Sequence, residues 1–332
     1  MKNILPGLIN PFLFLLTTTV FSEYVKASSE YDIVISGARV VDPETGFDSI
    51  SNIGVKGKAI TIITAKEISG ARVIDARGLV AAPGFIDLHV HGQDSYSEKL
   101  GVLDGKTSQL DLEAGALPVS SYYDYEENRS ISNYGASVGH AFARVLVMDG
   151  IDSQGIGLLN HTLMKTGQTG NLWSSAVATD EQLDRIDELV TEGLYEGGLG
   201  VGLMVGYYPK ARGDGLARIA NIAKQHNSFL TTHSRYISLI QPSGLLGIQE
   251  MISLATSYDV PLLVHHVPTN ALADTKVVLE MIDSANRAGA RIVGEMFPYD
   301  RGSTFIATAI LDEGWQSRMD MDYACLLYTS DA

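Results

Sequence analysis

From Gly84 onward the chain repeats one pattern: a short apolar run of strand length, a stretch with helical spacing or turn residues, then another run. Seven such runs centre on Phe85 to His91, Thr107 to Glu113, Tyr134 to Val138, Leu199 to Met204, Phe229 to His233, Pro261 to His266 and Arg291 to Phe297. Strands that alternate with helices fold as a parallel sheet, because parallel neighbours need a long crossover rather than a tight turn. The clearest crossover helix is expected over 180–195, where Leu183, Ile186, Leu189, Val190 and Leu194 recur at helical spacing behind Thr179. The expected class is α/β, a (β/α)8 barrel.

The ends of those runs carry the chemistry. Side chains alternate faces along a strand, so His89 and His91 point the same way, with Asp87 on that face. Paired neutral imidazoles suit a divalent metal, and the C-terminal ends of barrel strands are where barrel enzymes keep their reactive groups. His233 closes a further run, and His265-His266 closes another. Alternation puts only one of that last pair inside; His266 is preferred, with His265 on the opposite face. In Leu110-Asp111-Leu112-Glu113 the two carboxylates share a face, which makes Glu113 a ligand candidate with Asp111 in reserve, or else a solvated pair at a loop start. Lys106 is a weaker candidate, as a carbamylated bridge. His140, His161 and His226 lack a strand-end setting and are expected to be surface or packing residues.

The rest of the chain bounds the setting. Lys2 leads into an apolar core, and small or aliphatic residues stand at Val25 and Ala27, so 1–27 is expected to be a signal peptide and the mature protein periplasmic or secreted; an uncleaved anchor is the other possibility. Residues 28–83 break into β-prone runs, Ile33-Val34-Ile35, Ala38-Arg39-Val40-Val41, Ser51 to Val55 and Ile60 to Ile63, expected to form a small β-domain. A formal charge of -15 and a pI near 4.9 argue against nucleic acid or an anionic membrane as partner and leave a small-molecule substrate. Cys325 is the only cysteine, which excludes an intrachain disulfide and a Cys-rich metal module. Composition says nothing about oligomeric state.

Several runs together carry a family resemblance. They are F-I-D-L-H-V-H-G-Q from Phe85 to Gln93, L-D-L-E-A-G-A-L-P-V from Leu110 to Val119, N-Y-G-A-S-V-G from Asn133 to Gly139, G-G-L-G-V-G-L-M-V-G-Y-Y-P from Gly197 to Pro209, T-H-S-R from Thr232 to Arg235 and F-P-Y-D-R-G-S-T from Phe297 to Thr304. With these the chain resembles the amidohydrolase superfamily, in the D-aminoacylase branch, most closely the N-acyl-D-glutamate deacylases. The resemblance implies a TIM-like metal-dependent hydrolase barrel and one or two divalent ions, zinc above all. His233 and His266 would hold one ion, His89 and His91 a second and weaker one. Glu113 would stand where better-known relatives use a cysteine. It implies hydrolysis of the amide bond of N-acyl-D-amino acids, most specifically N-acyl-D-glutamate, by metal-activated water; a general D-aminoacylase or a dihydroorotase-like cyclic amidase is the alternative.

In the superfamily the general acid is an aspartate on the eighth strand, and no such strand is legible after Thr304. The barrel is therefore expected over 84–324 but incomplete. The ending 325–332 resembles translated adapter read-through, and the chain is expected to be part of a longer gene product, inactive by itself. An N-acyl-D-glutamate carries two carboxylates, for which an arginine fork is the fitting partner. Arg235, two residues after His233, is the leading candidate, unless it is a surface arginine at a helix start. Arg301 beside Ser303 is a second, and Tyr207 offers a hydroxyl.

Overall fold

The computed structural model describes residues 29–92, 94–152, 171–299, 301–304, 308–311 and 313–321. The leader expected over 1–27, His161 and the tail expected over 325–332 lie outside them. The chain divides into two compact units, Met1–Pro83 and Gly84–Ala332.

The first unit is a five-stranded sheet of β1 (Tyr31–Asp42), β2 (Phe47–Lys56), β3 (Ala59–Thr64), β4 (Gly70–Asp75) and β5 (Val80–Ala81), with β1 central. The two runs expected as separate strands at Ile33 and Ala38 are one strand. A register shift between Ile35 and Ala38 carries it past Gly37, whose φ of +73° suits glycine, and Asn52 Oδ1 accepts from Ser36 Oγ at 3.0 Å and Gly37 N at 2.9 Å. Ala38, Val40, Ile53 and Ala76 form its small core.

In the second unit seven parallel strands lie side by side in chain order: β6 (Phe85–Asp87), β7 (Lys106–Ala116), β8 (Asn133–Gly139), β9 (Val201–Met204), β10 (Leu230–His233), β11 (Leu262–Val264) and β12 (Ile292–Gly294). Each falls on one of the seven apolar runs. Helices α1 (Ser95–Leu103), α2 (Val119–Glu126), α3 (His140–Asp149), α4 (Asp180–Tyr195), α5 (Gly213–Gln225), α6 (Gly244–Tyr258) and α7 (Thr275–Arg287) lie between them. Helix α4 has the span its periodicity predicts, and a capping box of Thr179 and Gln182 starts it. The sheet curls as a partial barrel, and the core packs between sheet and helices, with Val138, Val201, Leu203 and Leu230 meeting Ile186, Val190, Leu216 and Ile219. Among the described residues no eighth strand follows β12, so β6 and β12 each have one hydrogen-bonded neighbour and leave Phe85, Ile86 and Val293 exposed. Among them, too, no helix is long and apolar enough to cross a membrane.

His140 is a packing histidine, as its position in the sequence suggests. It starts α3, is 3% exposed, and its Nδ1 lies 2.9 Å from the Tyr208 hydroxyl. Burial, aided by the Arg144 guanidinium, pushes its imidazole down to about 3. A histidine held neutral by the fold gains a proton more readily when unfolded, so stability is lost as pH falls below the unfolded value of about 6.5. From pH 6.5 to 5 this residue is expected to remove about 2 kcal/mol. In His140→Gln that part of the slope should vanish. Urea midpoints at the two pH values decide it: equal slopes for variant and parent would mean that His140 does not titrate on unfolding.

Candidate metal centre

The parallel strands deliver their C-terminal ends to one place. His89 and His91 follow β6, Glu113 lies within β7, His233 ends β10, and His265 and His266 follow β11. Glu113 reaches the centre because β7 bulges: the register with β8 shifts between Asp111 and Ala116, and Gly115 takes a φ of +69°. Asp111 Oδ1 holds the bulge by accepting from Ala114 N at 3.0 Å and Gly115 N at 3.1 Å. The Leu112 carbonyl turned out by the bulge accepts from the hydroxyls of Ser137 and Thr231. Gly202 of β9 leaves room for it, since a Cβ there would lie 2.3 Å from the Glu113 carbonyl oxygen.

Glu113 divides its carboxylate between two histidine pairs. Oε2 lies 3.0 Å from His91 Nε2 and 3.3 Å from His89 Nε2, and those two nitrogens are 3.0 Å apart. Oε1 lies 2.9 Å from His233 Nδ1 and 2.8 Å from His266 Nε2. Donors about 2.0–2.1 Å from a tetrahedral ion stand about 3.3 Å from one another, so the His89–His91–Glu113 trio already has the spacing of a ligand set. Glu113, His233 and His266 make a second trio, fully buried. His233 Nε2 and His266 Nδ1 are buried without a partner, and a Cβ on Gly206 would lie 2.6 Å from the His233 ring. Carboxylate and imidazole donors at these spacings fit one or two divalent ions of the zinc type. The site opens on one side: the His91 side chain is 34% exposed, that of His233 only 5%.

Charge agrees with that fit. Burial opposes a charge on His89, but Glu113 and then Glu295 outweigh it and raise the imidazole to about 9; His91 is raised too, against burial, by Asp111 and Glu113. Burial likewise opposes the Glu113 carboxylate, yet the surrounding imidazoles, His89 foremost, hold it well below the carboxylate range. His233, the most enclosed of the four histidines expected as ligands, is pushed down to about 4 by burial, which keeps it the neutral donor that a cation requires. The carboxylates thus call for positive charge at the His89–His91 end, and burial keeps His233 neutral.

Other expectations fare differently. His265 does not turn away. His266 adopts φ +31° and ψ +54°, a left-handed conformation that ends the alternation of β11, so both rings face the centre and His265 Nδ1 lies 3.1 Å from Glu295 Oε2. Asp111 stands behind His91, its Oδ2 3.3 Å from His91 Nδ1. Lys106 pairs with Asp87 at 2.6 Å at the opposite end of β7, so a carbamate bridge there is excluded. Arg235 is engaged elsewhere: its fork meets Glu250 at 2.7 and 2.9 Å, and its Nη1 donates to the carbonyls of Pro209 and Ala211. Tyr207 packs its ring 4.8 Å from that of His233 and its hydroxyl lies 2.9 Å from Thr304 Oγ1. Ser303 and Arg301 are exposed. His226, just after α5, meets the Tyr195 ring edge to face. Sequence reasoning missed Glu295, although it stands directly after Ile-Val-Gly of β12, the strand-end position that singled out the histidines.

The fold so assembled, seven parallel strands in chain order with helices between them, is shared with solved structures of amidohydrolases. No family model matches the chain. It is similar to a dihydroorotase of Streptococcus thermophilus (strain CNRZ 1066), 25% identical over 315 residues that cover 87% of this chain and 65% of that protein. Among solved structures it is similar to a D-aminoacylase described as defining a novel subset of amidohydrolases, with a TM-score of 0.62, 21% identity, and coverage of 81% of this chain and 59% of that one. It is also similar to the N-acyl-D-glutamate deacylase of Bordetella bronchiseptica complexed with zinc and a phosphonate inhibitor, with a TM-score of 0.63, 20% identity and the same coverage. The chain spans about three-fifths of the length of these relatives.

Proposed function

We propose that this chain is part of a metal-dependent amide hydrolase acting on N-acyl-D-amino acids, with N-acyl-D-glutamate as the preferred class. The observation that carries the reading is the Glu113 carboxylate, one oxygen turned to His89 and His91 and the other to His233 and His266. These five side chains would hold one or two zinc ions. A cation so held polarises an acyl carbonyl and acidifies water, supplying a nucleophile at neutral pH. The protein's own residues do the rest. Glu113 stays ionised and sets the charge of the site, His233 and His266 wall it from below, and the more exposed His91 marks the side from which a substrate arrives. Tyr207, beside His233, offers its hydroxyl at the rim with Thr304, and Arg301 and Ser303 on the same segment supply the donors that two substrate carboxylates need. The L-E-A-G-A-L-P-V and N-Y-G-A-S-V-G runs support the D-glutamate preference. The similarity to a dihydroorotase favours a second reading, a cyclic amidase.

A panel of N-acetyl-D-glutamate, N-acetyl-D-methionine and dihydroorotate, offered to the zinc-loaded full-length protein, separates the two. The expected result is the highest kcat/KM for N-acetyl-D-glutamate, abolished by a chelator and restored by zinc. Preferential opening of dihydroorotate would replace the acylase reading with the cyclic one, and turnover indifferent to chelation would end both.

A further inference from the structure

Glu295 lies outside the motif runs that carry the family resemblance, yet its carboxylate touches both halves of the site. Oε2 lies 3.0 Å from His89 Nδ1 and 3.1 Å from His265 Nδ1, and it accepts from the backbone N–H of His266 at 2.9 Å. The main chain adds two more ties to the end of β11: Glu295 N donates to the Val264 carbonyl at 2.8 Å and Val267 N to the Glu295 carbonyl at 2.9 Å. Glu295 therefore brackets the turn in which His266 takes its left-handed backbone, a conformation that costs a non-glycine residue roughly 1–2 kcal/mol and persists only where neighbours hold it. On the other side, a proton kept on His89 Nδ1 by the carboxylate leaves Nε2 as the lone-pair nitrogen, and Nε2 is the atom that faces His91 and Glu113.

We infer that Glu295 is a positioning residue that joins the two cation positions, fixing the ring nitrogen of His89 in one trio and the backbone of His266 in the other. The inference rests on the metal-hydrolase reading above and adds to it that the two positions weaken together. A carboxylate that merely packed against one ligand would affect one position. One that bound a cation of its own, with His89 and His265, would create a third.

Zinc titration of the metal-free 332-residue chain against a chromophoric chelator tests this, with Glu295→Ala and Glu295→Gln beside the parent and far-UV circular dichroism to confirm the fold. The parent should take up two equivalents. In Glu295→Ala both should weaken by about 10–100-fold. Glu295→Gln keeps a neutral acceptor for the same N–H groups and should lose less, and it serves alone if the alanine variant does not fold. Equal affinity in parent and variants would overturn the inference while leaving the hydrolase reading intact. So would weakening of a single equivalent, or a third equivalent that disappears with Glu295. A parent that takes up no zinc would overturn the reading and the inference together.

Discussion

Glu113→Gln is expected to empty the site. The change keeps shape and removes one negative charge from a side chain that is 3% exposed and stands among four imidazoles. Glu113 meets the rings of both pairs, whereas Asp111 meets the His91 ring and Glu295 meets the His89 ring from the side opposite Glu113 and, at His266, the backbone N–H. With an amide in its place the two trios lose their shared anion, and an NH2 group replaces one of the two acceptor oxygens, pointing donors at nitrogens that should hold lone pairs. Zinc retained after dialysis should fall to background. Where the parent hydrolyses N-acetyl-D-glutamate, kcat/KM should drop at least about a thousandfold, which corresponds to about 4 kcal/mol of transition-state stabilisation. Zinc content equal to the parent's would remove Glu113 from the metal and leave the histidines as two independent pairs. Glu113→Asp is the companion variant: charge is kept and reach shortened, so part of the zinc should return.

Glu113 also shows how far the sequence could be read. Alternation placed it on the face of Asp111 and away from Leu110 and Leu112, and both carboxylates do turn toward His91. What alternation does not convey is the bulge after Asp111, which depends on Gly115, on Asp111 as a hydrogen-bond acceptor and on the missing side chain of Gly202 two strands away. The same limit explains His265. Strand periodicity assigns it to the far face, but β11 stops at Val264, and the left-handed residue at 266 resets the direction of both rings. The seven strands and helix α4 were legible because each is a local pattern of apolar spacing. Glu295, the joining of Ile33 and Ala38 into one strand, and the partner of Arg235 were not, because each depends on contacts between segments far apart in sequence.

Arg235 is the position where sequence and structure lead to opposite experiments. As a substrate clamp it would leave the fold untouched on replacement by methionine and raise KM for a dicarboxylate. In the structure its side chain is 7% exposed and its donors are committed to Glu250 and to the carbonyls of Pro209 and Ala211, so it ties the end of β10 to helix α6 and to the segment after β9. Gly247 of α6 packs against the same residue so closely that a Cβ would lie 1.9 Å from the Arg235 carbonyl oxygen, which leaves no slack for the helix to shift and compensate. Arg235→Met fills the volume but orphans the two carbonyls and one carboxylate. Glu250, with a third of its side chain exposed, recovers some hydration, which places the cost at the lower end for a broken buried pair, about 3 kcal/mol. The expected result is a lower urea midpoint, with KM for N-acetyl-D-glutamate nearly unchanged in the protein that remains folded. Glu250→Leu combined with Arg235→Met should cost less than the sum of the single changes, since the pair then disappears together. Unchanged stability with a tenfold rise in KM would return Arg235 to the substrate.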